Sequence, residues 1–367
     1  MLITTSKENL LSGINAVQRA INAKSIIPVY SCIKLLAAGN TLTFTGMSLD
    51  MGIQCQIPVQ IEQEGTAVIP ARYFSDIVRR LPDVPITLDL KDSNEMTIRY
   101  EKSFFSLKTM PAEDFPPMPE FKGGMDFFIT AETIKTMIRQ TSFSASSDEM
   151  KAVFTGLLWE IEGDHLRMVG TDTHRLAFSQ GTIKINHTEA INGTFIFSAK
   201  TAAEISRLIQ EEDCRVQVEK NMVFFTFENI KINCRLLEGQ FPNYKQVIPS
   251  QFKTKVQANA KVLQDSAERI SLFALSGDTS NTIHLEITDN NLVIHSKSEI
   301  GFGKEEIGIE KTGDDLKISF NSRYLTDVFK VLETDLITIE FSGPLSAGVM
   351  RIPDNEAFLY LILPVRV

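Results

Sequence analysis

Apolar positions along this chain follow two rhythms. Pro70 to Leu81 carries them at i, i+3, i+4 and i+7, through Phe74, Ile77, Val78 and Leu81, and Asn321 to Leu332 does the same through Tyr324, Leu325, Val328, Phe329 and Leu332. Ser198 to Ile209 repeats the pattern more loosely, with Ala202, Ile205, Leu208 and Ile209. Spacing of this kind predicts three amphipathic helices, with Ser198 and Asn321 where an N-cap belongs. A second helix precedes each of them. Its marks are Leu10, Leu11, Ile14, Val17 and Ile21 in the first case, Ile134, Met137 and Ile138 in the second, and Leu263, Ala267, Ile270 and Phe273 in the third. Between helices the rhythm changes to period two, clearest in Ile53, Cys55, Ile57, Val59 and Ile61, which predicts strands with one buried face. Strand pairs are also predicted over 97–109, 222–237 and 336–352, and Asn290-Asn291 reads as a hairpin turn.

The elements recur at nearly constant offsets. Arg72, Lys200 and Arg323 are spaced 128 and 123 apart, Gly46 and Gly170 are 124 apart, and Phe115-Pro116 and Phe241-Pro242 are 126 apart. Such self-similarity marks internal duplication. The chain is therefore expected to be an α+β protein of three repeats, each helix–strands–helix–strands, with domains at 1–126, 127–252 and 253–367.

Composition adds bounds. A chain of 367 residues with 43% hydrophobic and 23% charged positions can bury ample core. Its apolar runs fall short of the roughly 20 residues that span a bilayer, and its first residues do not read as a signal peptide, so a cytoplasmic location is expected. The four cysteines, Cys32, Cys55, Cys214 and Cys234, are scattered and read as buried thiols. Net charge is −9, yet the six predicted helices together carry +7, which leaves −16 for the strands and loops. A shared helical face would then attract phosphate without reading base sequence, while the acidic remainder repels it.

Catalytic signatures are missing. There is no phosphate-binding Gly-x-x-x-x-Gly-Lys, no Gly-x-Gly-x-x-Gly, no Gly-x-Ser-x-Gly and no His-Glu-x-x-His, and the five histidines lack metal-ligand spacing. No metal and no cofactor are expected. The densest polar stretch, Thr171-Asp-Thr-His-Arg175, closes an alternating run. It reads as a turn capped by Asp172 or as a surface site. An Asp172/His174 centre in a three-repeat hydrolase is one alternative function, and a scaffold that never meets DNA is another.

Several segments carry a family resemblance. Thr171-Asp172-Thr173-His174-Arg175-Leu176-Ala177, led by Gly156-Leu-Leu-Trp-Glu160, is one. Others are Pro70-Ala-Arg72, Phe105-Ser-Leu107 through Asp114-Phe115-Pro116, Phe241-Pro242-Asn-Tyr244, Phe320-Asn321 with Tyr324, and the terminal Leu363-Pro364-Val365-Arg366-Val367. Together they resemble the bacterial DNA polymerase III beta subunits, the replicative sliding clamps, over the full length. The resemblance implies three pseudo-equivalent domains in a crescent, two crescents closing head-to-tail into a ring, and helices lining a hole that admits duplex DNA. It implies a non-catalytic processivity factor that docks the replicative polymerase alpha subunit, the clamp loader and other proteins bearing a short clamp-binding motif. Carried over by position, the groove for that motif is lined by Phe154, Thr171, His174, Arg175, Leu176, Pro242, Val247, Asn321, Tyr324, Ser346, Leu363, Pro364, Val365 and Arg366. DNA contacts fall on Lys24, Arg72 and Lys151, and the dimer interface on Phe105, Leu107, Leu272 and Phe273. Three departures bear on the groove: Thr173 replaces the usual Gly, Gln246 replaces a common basic residue, and 277–282 shows no counterpart of the family's aromatic contact.

Overall fold

The computed structural model describes residues 1–92, 94–185, 191–274 and 281–366. His187, Val367 and all but the last two residues of the 277–282 stretch lie outside the described residues. Among the described residues there are six α-helices: α1 (Lys7–Val17), α2 (Ala71–Arg80), α3 (Ala131–Ser142), α4 (Ala199–Ser206), α5 (Ala260–Ala274) and α6 (Ser322–Phe329). Their starts follow local capping chemistry. Ser6 Oγ accepts from the Asn9 N–H at 3.2 Å and Ser198 Oγ from the Thr201 N–H at 3.3 Å. Asn259 Oδ1 accepts from the Val262 N–H at 3.0 Å, and Asn321 Oδ1 from the N–H groups of Arg323 and Tyr324. Each cap satisfies a donor that the first helical turn leaves open.

The first helix is shorter than its apolar marks suggest. It tightens into a 3-10 turn at Gln18–Ala20, and Ile21 is extended, with φ −91° and ψ 129°. Within the observed α-helical bounds the net charge is +3, since Arg19, Lys24, Arg207 and Lys330 all lie past helix ends. This corrects the expectation of +7 on the helices. Cations beyond C-terminal ends suit the macrodipole there. Several helix cations also face acids: Arg80 meets Asp76 at 3.2 Å and Lys261 meets Asp265 at 2.6 Å, while Arg269 meets Glu305 at 2.6 Å.

The chain forms two compact units: residues 1–131, 184–186 and 207–236, and residues 132–183, 187–206 and 237–367. In the first, a five-stranded sheet runs in the order Gln60–Gln63, Leu2–Thr5, Ile86–Asp92, Glu95–Tyr100, Ser103–Lys108. A nine-stranded sheet begins with Lys184–Ile185, Met125–Ile129, Cys214–Val218, Met222–Phe227 and Ile230–Arg235. It continues into Met51–Pro58, Thr41–Met47, Cys32–Ala38 and Gly65–Pro70. In the second unit another nine-stranded sheet runs Asn192–Ser198, Gly156–Glu162, His165–Thr171, Arg175–Thr182, and on through Asn355–Ile362, Gly348–Ile352, Leu336–Phe341, Thr254–Asn259, Glu310–Gly313. Its four-stranded companion runs Gly301–Gly308, Asn291–Ser298, Thr282–Thr288, Leu316–Asn321.

Repeat and unit boundaries differ because sheets continue across repeats. Met51–Pro58 of the first repeat pairs with Ile230–Arg235 of the second, and Arg175–Thr182 of the second pairs with Asn355–Ile362 of the third. The repeats are nonetheless legible in backbone bonds. The N–H groups of Val59, Ile183 and Ile309 donate to the carbonyls of Asn40, Asp164 and Asn290 at 3.1, 2.9 and 3.0 Å. Gly46 and Gly170 are equivalent too. A Cβ on Gly46 would meet the Val17 carbonyl oxygen at the end of α1, and one on Gly170 would meet the Thr141 carbonyl in the last turn of α3. Both positions bring helix backbone against strand backbone, which only glycine permits.

Two apolar clusters underlie the second unit. One joins α5 and α6 to the four-stranded sheet through Leu263, Ile270, Ile294, Phe320 and Leu325. The other gathers Leu158, Val169, Leu176, Ile196, Tyr244, Ala347, Val349, Leu359 and Leu361, with Val153, Phe241 and Ile248 against it.

Candidate functional site

The polar stretch at 171–175 is a tight turn between the strands His165–Thr171 and Arg175–Thr182. Asp172 Oδ1 accepts from the backbone N–H groups of His174 (2.9 Å) and Arg175 (3.0 Å). Thr171 Oγ1 donates to the Arg175 carbonyl at 2.6 Å and accepts from the Thr173 N–H at 3.1 Å. Thr173 sits at φ +82°. Glycine enters this region freely, whereas a β-branched residue is strained there. The turn thus keeps a glycine-like backbone without the glycine.

Arg175 is buried, at 6% exposure. Its Nε donates to Asp172 Oδ2 at 3.0 Å, one terminal nitrogen to Asp327 Oδ2 at 2.8 Å, and the other to the Phe143 carbonyl at 2.7 Å. The guanidinium lies 4.5 Å from the Tyr324 ring centroid and 5.6 Å from that of Phe143. Burial alone would disfavour its charge, but nearby Tyr360, Asp327 and Asp172 outweigh that, and its pKa is raised. At Asp327, burial is likewise outweighed, here by Lys330 and Arg175, and the carboxyl is held below its ordinary value. The pair is a buried, multiply bonded strut from the turn to α6. Sequence reasoning set Arg175 among groove-lining residues; in the structure its side chain is buried and bonded to Asp172, Asp327 and Phe143.

The hydrolase alternative does not fit this geometry. Both carboxylate oxygens of Asp172 are committed, to two amides and to Arg175, and the His174 ring stacks on Tyr324 with centroids 6.4 Å apart. A general base needs its orienting carboxylate on the imidazole, not on the backbone.

The chain end is fastened beside this turn. Sheet register sets Arg175 opposite Ile362 and Leu176 opposite Leu361. Past the strand, the Leu363 N–H donates to the His174 carbonyl at 2.9 Å and the Val365 N–H to the Ser319 carbonyl at 2.8 Å. Leu363 is exposed, Pro364 and Val365 are half-buried and Arg366 is exposed. Several of the other predicted lining residues adjoin, along the chain, residues of the second apolar cluster. Leu176 belongs to it, Phe154 follows Val153 and stands 6.2 Å from Phe241, and Pro242 follows Phe241. Val247 is exposed between Tyr244, a cluster member, and Ile248, which packs against the cluster, and Ser346 precedes Ala347. Asn321 caps α6, and Tyr324 lies one turn along it. The fourteen predicted residues lie on elements of one unit, with Leu176 inside the second apolar cluster and Tyr324 packed against the first. Gln246 is exposed, and its N–H donates to the Asn243 carbonyl at 3.3 Å.

Sequence reasoning missed three supports. Phe143 and Asp327 hold Arg175, and Glu160 accepts from the Tyr244 hydroxyl at 2.8 Å and from Lys245 at 2.9 Å. Asp327 stood in an amphipathic stretch on its own helix, without any local sign of a partner 152 residues away.

Lys24, Arg72 and Lys151 are exposed. Phe105 is exposed and Leu107 half-buried on Ser103–Lys108, which ends its sheet. Leu272 is exposed, while Phe273 lies half-buried over Gly301 and Gly303 beneath the strand Gly301–Gly308, also a sheet edge. Among the described residues no cluster of His, Cys, Asp and Glu could hold a metal, and no helix is long and apolar enough to cross a membrane.

Three family models match in series: the DNA polymerase III beta subunit N-terminal domain at residues 1–119, its central domain at 128–243 and its C-terminal domain at 245–366. The chain belongs to the DNA polymerase III beta subunit family. It is 31% identical to the beta sliding clamp of Bacillus subtilis and 30% identical to that of Halalkalibacterium halodurans, covering all of each. Its fold is the three-domain clamp fold. A Bacillus subtilis sliding clamp structure superposes with TM-score 0.95 at 30% identity, covering 100% of this chain and 99% of that one. A Pseudomonas aeruginosa sliding clamp solved bound to griselimycin superposes at 0.94 with 27% identity and full coverage of both chains. The expected lack of the family's aromatic contact near 277–282 lies outside the described residues save for 281 and 282, as does the terminal Val367 of the family-like segment.

Proposed function

We propose that this chain closes head-to-tail with a second copy into a ring around duplex DNA and tethers replication proteins there. It is a sliding clamp and a non-catalytic subunit, with a role in DNA replication. One observation carries the ring. In each repeat a middle strand can pair with the last strand of the next repeat. Met51–Pro58 does so with Ile230–Arg235, and Arg175–Thr182 with Asn355–Ile362. The third middle strand, Gly301–Gly308, and the first repeat's last strand, Ser103–Lys108, end their sheets. An open edge with exposed Phe104, Phe105 and Phe302 is a liability until paired. Pairing these two edges between copies twice closes a ring, with Phe105, Leu107, Leu272 and Phe273 at the seam. The domain boundaries 1–126, 127–252 and 253–367 follow the same repeat logic.

Lys24, Arg72 and Lys151 contact phosphate in this reading. Such contacts are sequence-independent and salt-sensitive, so retention comes from encirclement. The clamp-binding motif of the polymerase alpha subunit, the clamp loader and other partners lies over Leu176, Pro242, Val247 and Leu363 with Tyr324 beside it, an apolar bed with a few polar anchors. Arg175 holds that bed from below. A Pseudomonas relative with griselimycin bound supports a receptive surface on clamps of this family. The clamp works in the cytoplasm.

The test is topological. Loaded protein is expected to stay on nicked circular DNA through a high-salt wash and to leave when the circle is cut; equal loss from circle and line refutes encirclement. Leu272→Glu is expected to give monomers by light scattering with unchanged circular dichroism, and a surviving dimer moves the seam elsewhere.

A further inference from the structure

The four-stranded sheet of the second unit buries Ile283, Leu285, Leu292, Ile294, Ile318 and Phe320 on one face. Alternation sends His284, Glu286, His295 and Ser319 to the other. Register aligns three of these side chains with Lys304 in one row across the sheet: Lys304 opposite His295, His295 opposite His284, and His284 opposite Ser319. The two imidazoles stack, with centroids 4.9 Å apart and planes at 22°. His284 Nδ1 shares a 2.8 Å hydrogen bond with Ser319 Oγ. The backbone carbonyl of that same Ser319 holds the Val365 N–H of the chain end. One row thus joins a sheet edge to the segment beside the 171–175 turn.

We propose that the His284–His295 stack is a proton-operated latch: charging both rings drives them apart, turns His284 away from Ser319 and loosens the grip of Leu316–Asn321 on the chain end. Every charged group around the stack bears on the sign. Glu286 lies 3.5 Å from His295 Nε2 and is itself engaged by Lys317 at 3.1 Å. On the edge strand Lys304 pairs with Glu306 at 2.7 Å, and the Phe302 ring lies 6.0 Å from that of His295. Lys297 is two residues along the His295 strand, and Arg366 follows Val365 on the chain end. Lys304 and Lys317, paired with Glu306 and Glu286, stand near the pair before it takes up any proton, and charge on one ring opposes charge on the other. Burial, then the neighbouring His295, holds His284 below its ordinary pKa, with Glu286 pulling the other way. The folded state therefore favours neutral His284. That contribution is fully present above the unfolded value of about 6.5 and is lost as pH falls below it.

The latch stands without the groove reading; only its consequence for partners rests on that reading. Amide hydrogen exchange at Val365 tests it on the unbound full chain, corrected for the intrinsic pH dependence, between about pH 7.5 and about pH 5.5, the span in which histidine titrates. A several-fold rise at low pH is expected in the natural chain, and no rise in His295→Gln, which keeps the His284–Ser319 bond and removes the like charge. A flat profile, or the same rise in the variant, overturns the latch. Should the variant fold poorly, the natural chain suffices: the Val365 amide shift must track the His284 ring titration, and an indifferent Val365 overturns the proposal. With the latch responding, a clamp-motif peptide binding equally at both pH values removes the groove from this chain end and leaves the latch in place.

Discussion

Truncating Arg175 to Ala removes the centre of the turn and leaves three partners behind. Asp172 and Asp327 are 12% and 15% exposed, and the Phe143 carbonyl faces the vacated space. Breaking a buried ion pair from one side costs about 3–5 kcal/mol, because the orphaned carboxylate loses its counter-charge out of water. Asp327 keeps Lys330 at 2.8 Å and Asp172 keeps two backbone donors, so the lower half of that range applies, about 3 kcal/mol. The loss of guanidinium packing on Tyr324 adds about 0.5–1 kcal/mol. Urea unfolding of the second unit, followed by the fluorescence of the single tryptophan, Trp159, reads the change. Arg175→Met is the control. It keeps most of the volume and loses the charge, and a similar deficit assigns the effect to the unpaired acids. The pH dependence supplies an independent check. The depressed carboxyl of Asp327 stabilises the fold above its unfolded value of about 3.9 and ceases to do so as pH falls through the lower folded value. In Arg175→Ala that acid-limb loss is expected to shrink. A deficit below about 1 kcal/mol, with the acid limb unchanged, means the strut is not stabilising and the argument from burial fails.

Thr173→Gly relieves the positive φ and is expected to raise the stability of the turn by about 0.5–1 kcal/mol after the glycine entropy cost; a lower melting temperature shows the threonine is not strained. Gly170→Ala drives a methyl against the Thr141 carbonyl and is expected to cost about 2 kcal/mol or more in urea unfolding, whereas Gly308→Ala, with open space around it, is expected to cost little. Deleting Leu363 to Val367 is expected to abolish clamp-motif peptide binding by calorimetry while the dimer persists in light scattering; retained binding puts the groove elsewhere.

Much of this fold was legible because its signals are local and repeated. Asn321 and Ser198 cap the helices they were expected to cap, and the period-two run at Ile53 to Ile61 became the strands Met51–Pro58 and Gln60–Gln63. The end of α1 was not legible. Ile21 continues the helical apolar period, but the close approach of Val17 to Gly46, a partner distant in sequence, coincides with the point where the helix gives way to a 3-10 turn. Helix charge was overstated for the same reason, since cations counted on helices lie past their ends. At the site, the turn and the family-matched residues were visible, but the role of Arg175 was not. Burial of a guanidinium depends on Phe143, Tyr324 and Asp327, which are brought together only by sheet register and the packing of α6.

The histidine pair shows how far register alone could have reached. Thr288 pairs with Asn291 around a turn whose Asp289 has φ +46°. In a hairpin each step outward on one strand is matched by a step on the other. Counting outward from that turn sets His284 opposite His295, so the hairpin predicted at Asn290 already contained the contact. What it lacked was the third strand: the step from Asn321 back to Ser319, which carries the chain end, depends on a pairing between Thr282–Thr288 and Leu316–Asn321 that no local turn encodes. Long-range pairing is thus where both the strut and the latch acquire their partners, and a variant that shifts the register of Leu316–Asn321 should disturb the α6 cap at Asn321 and the Val365 anchor together.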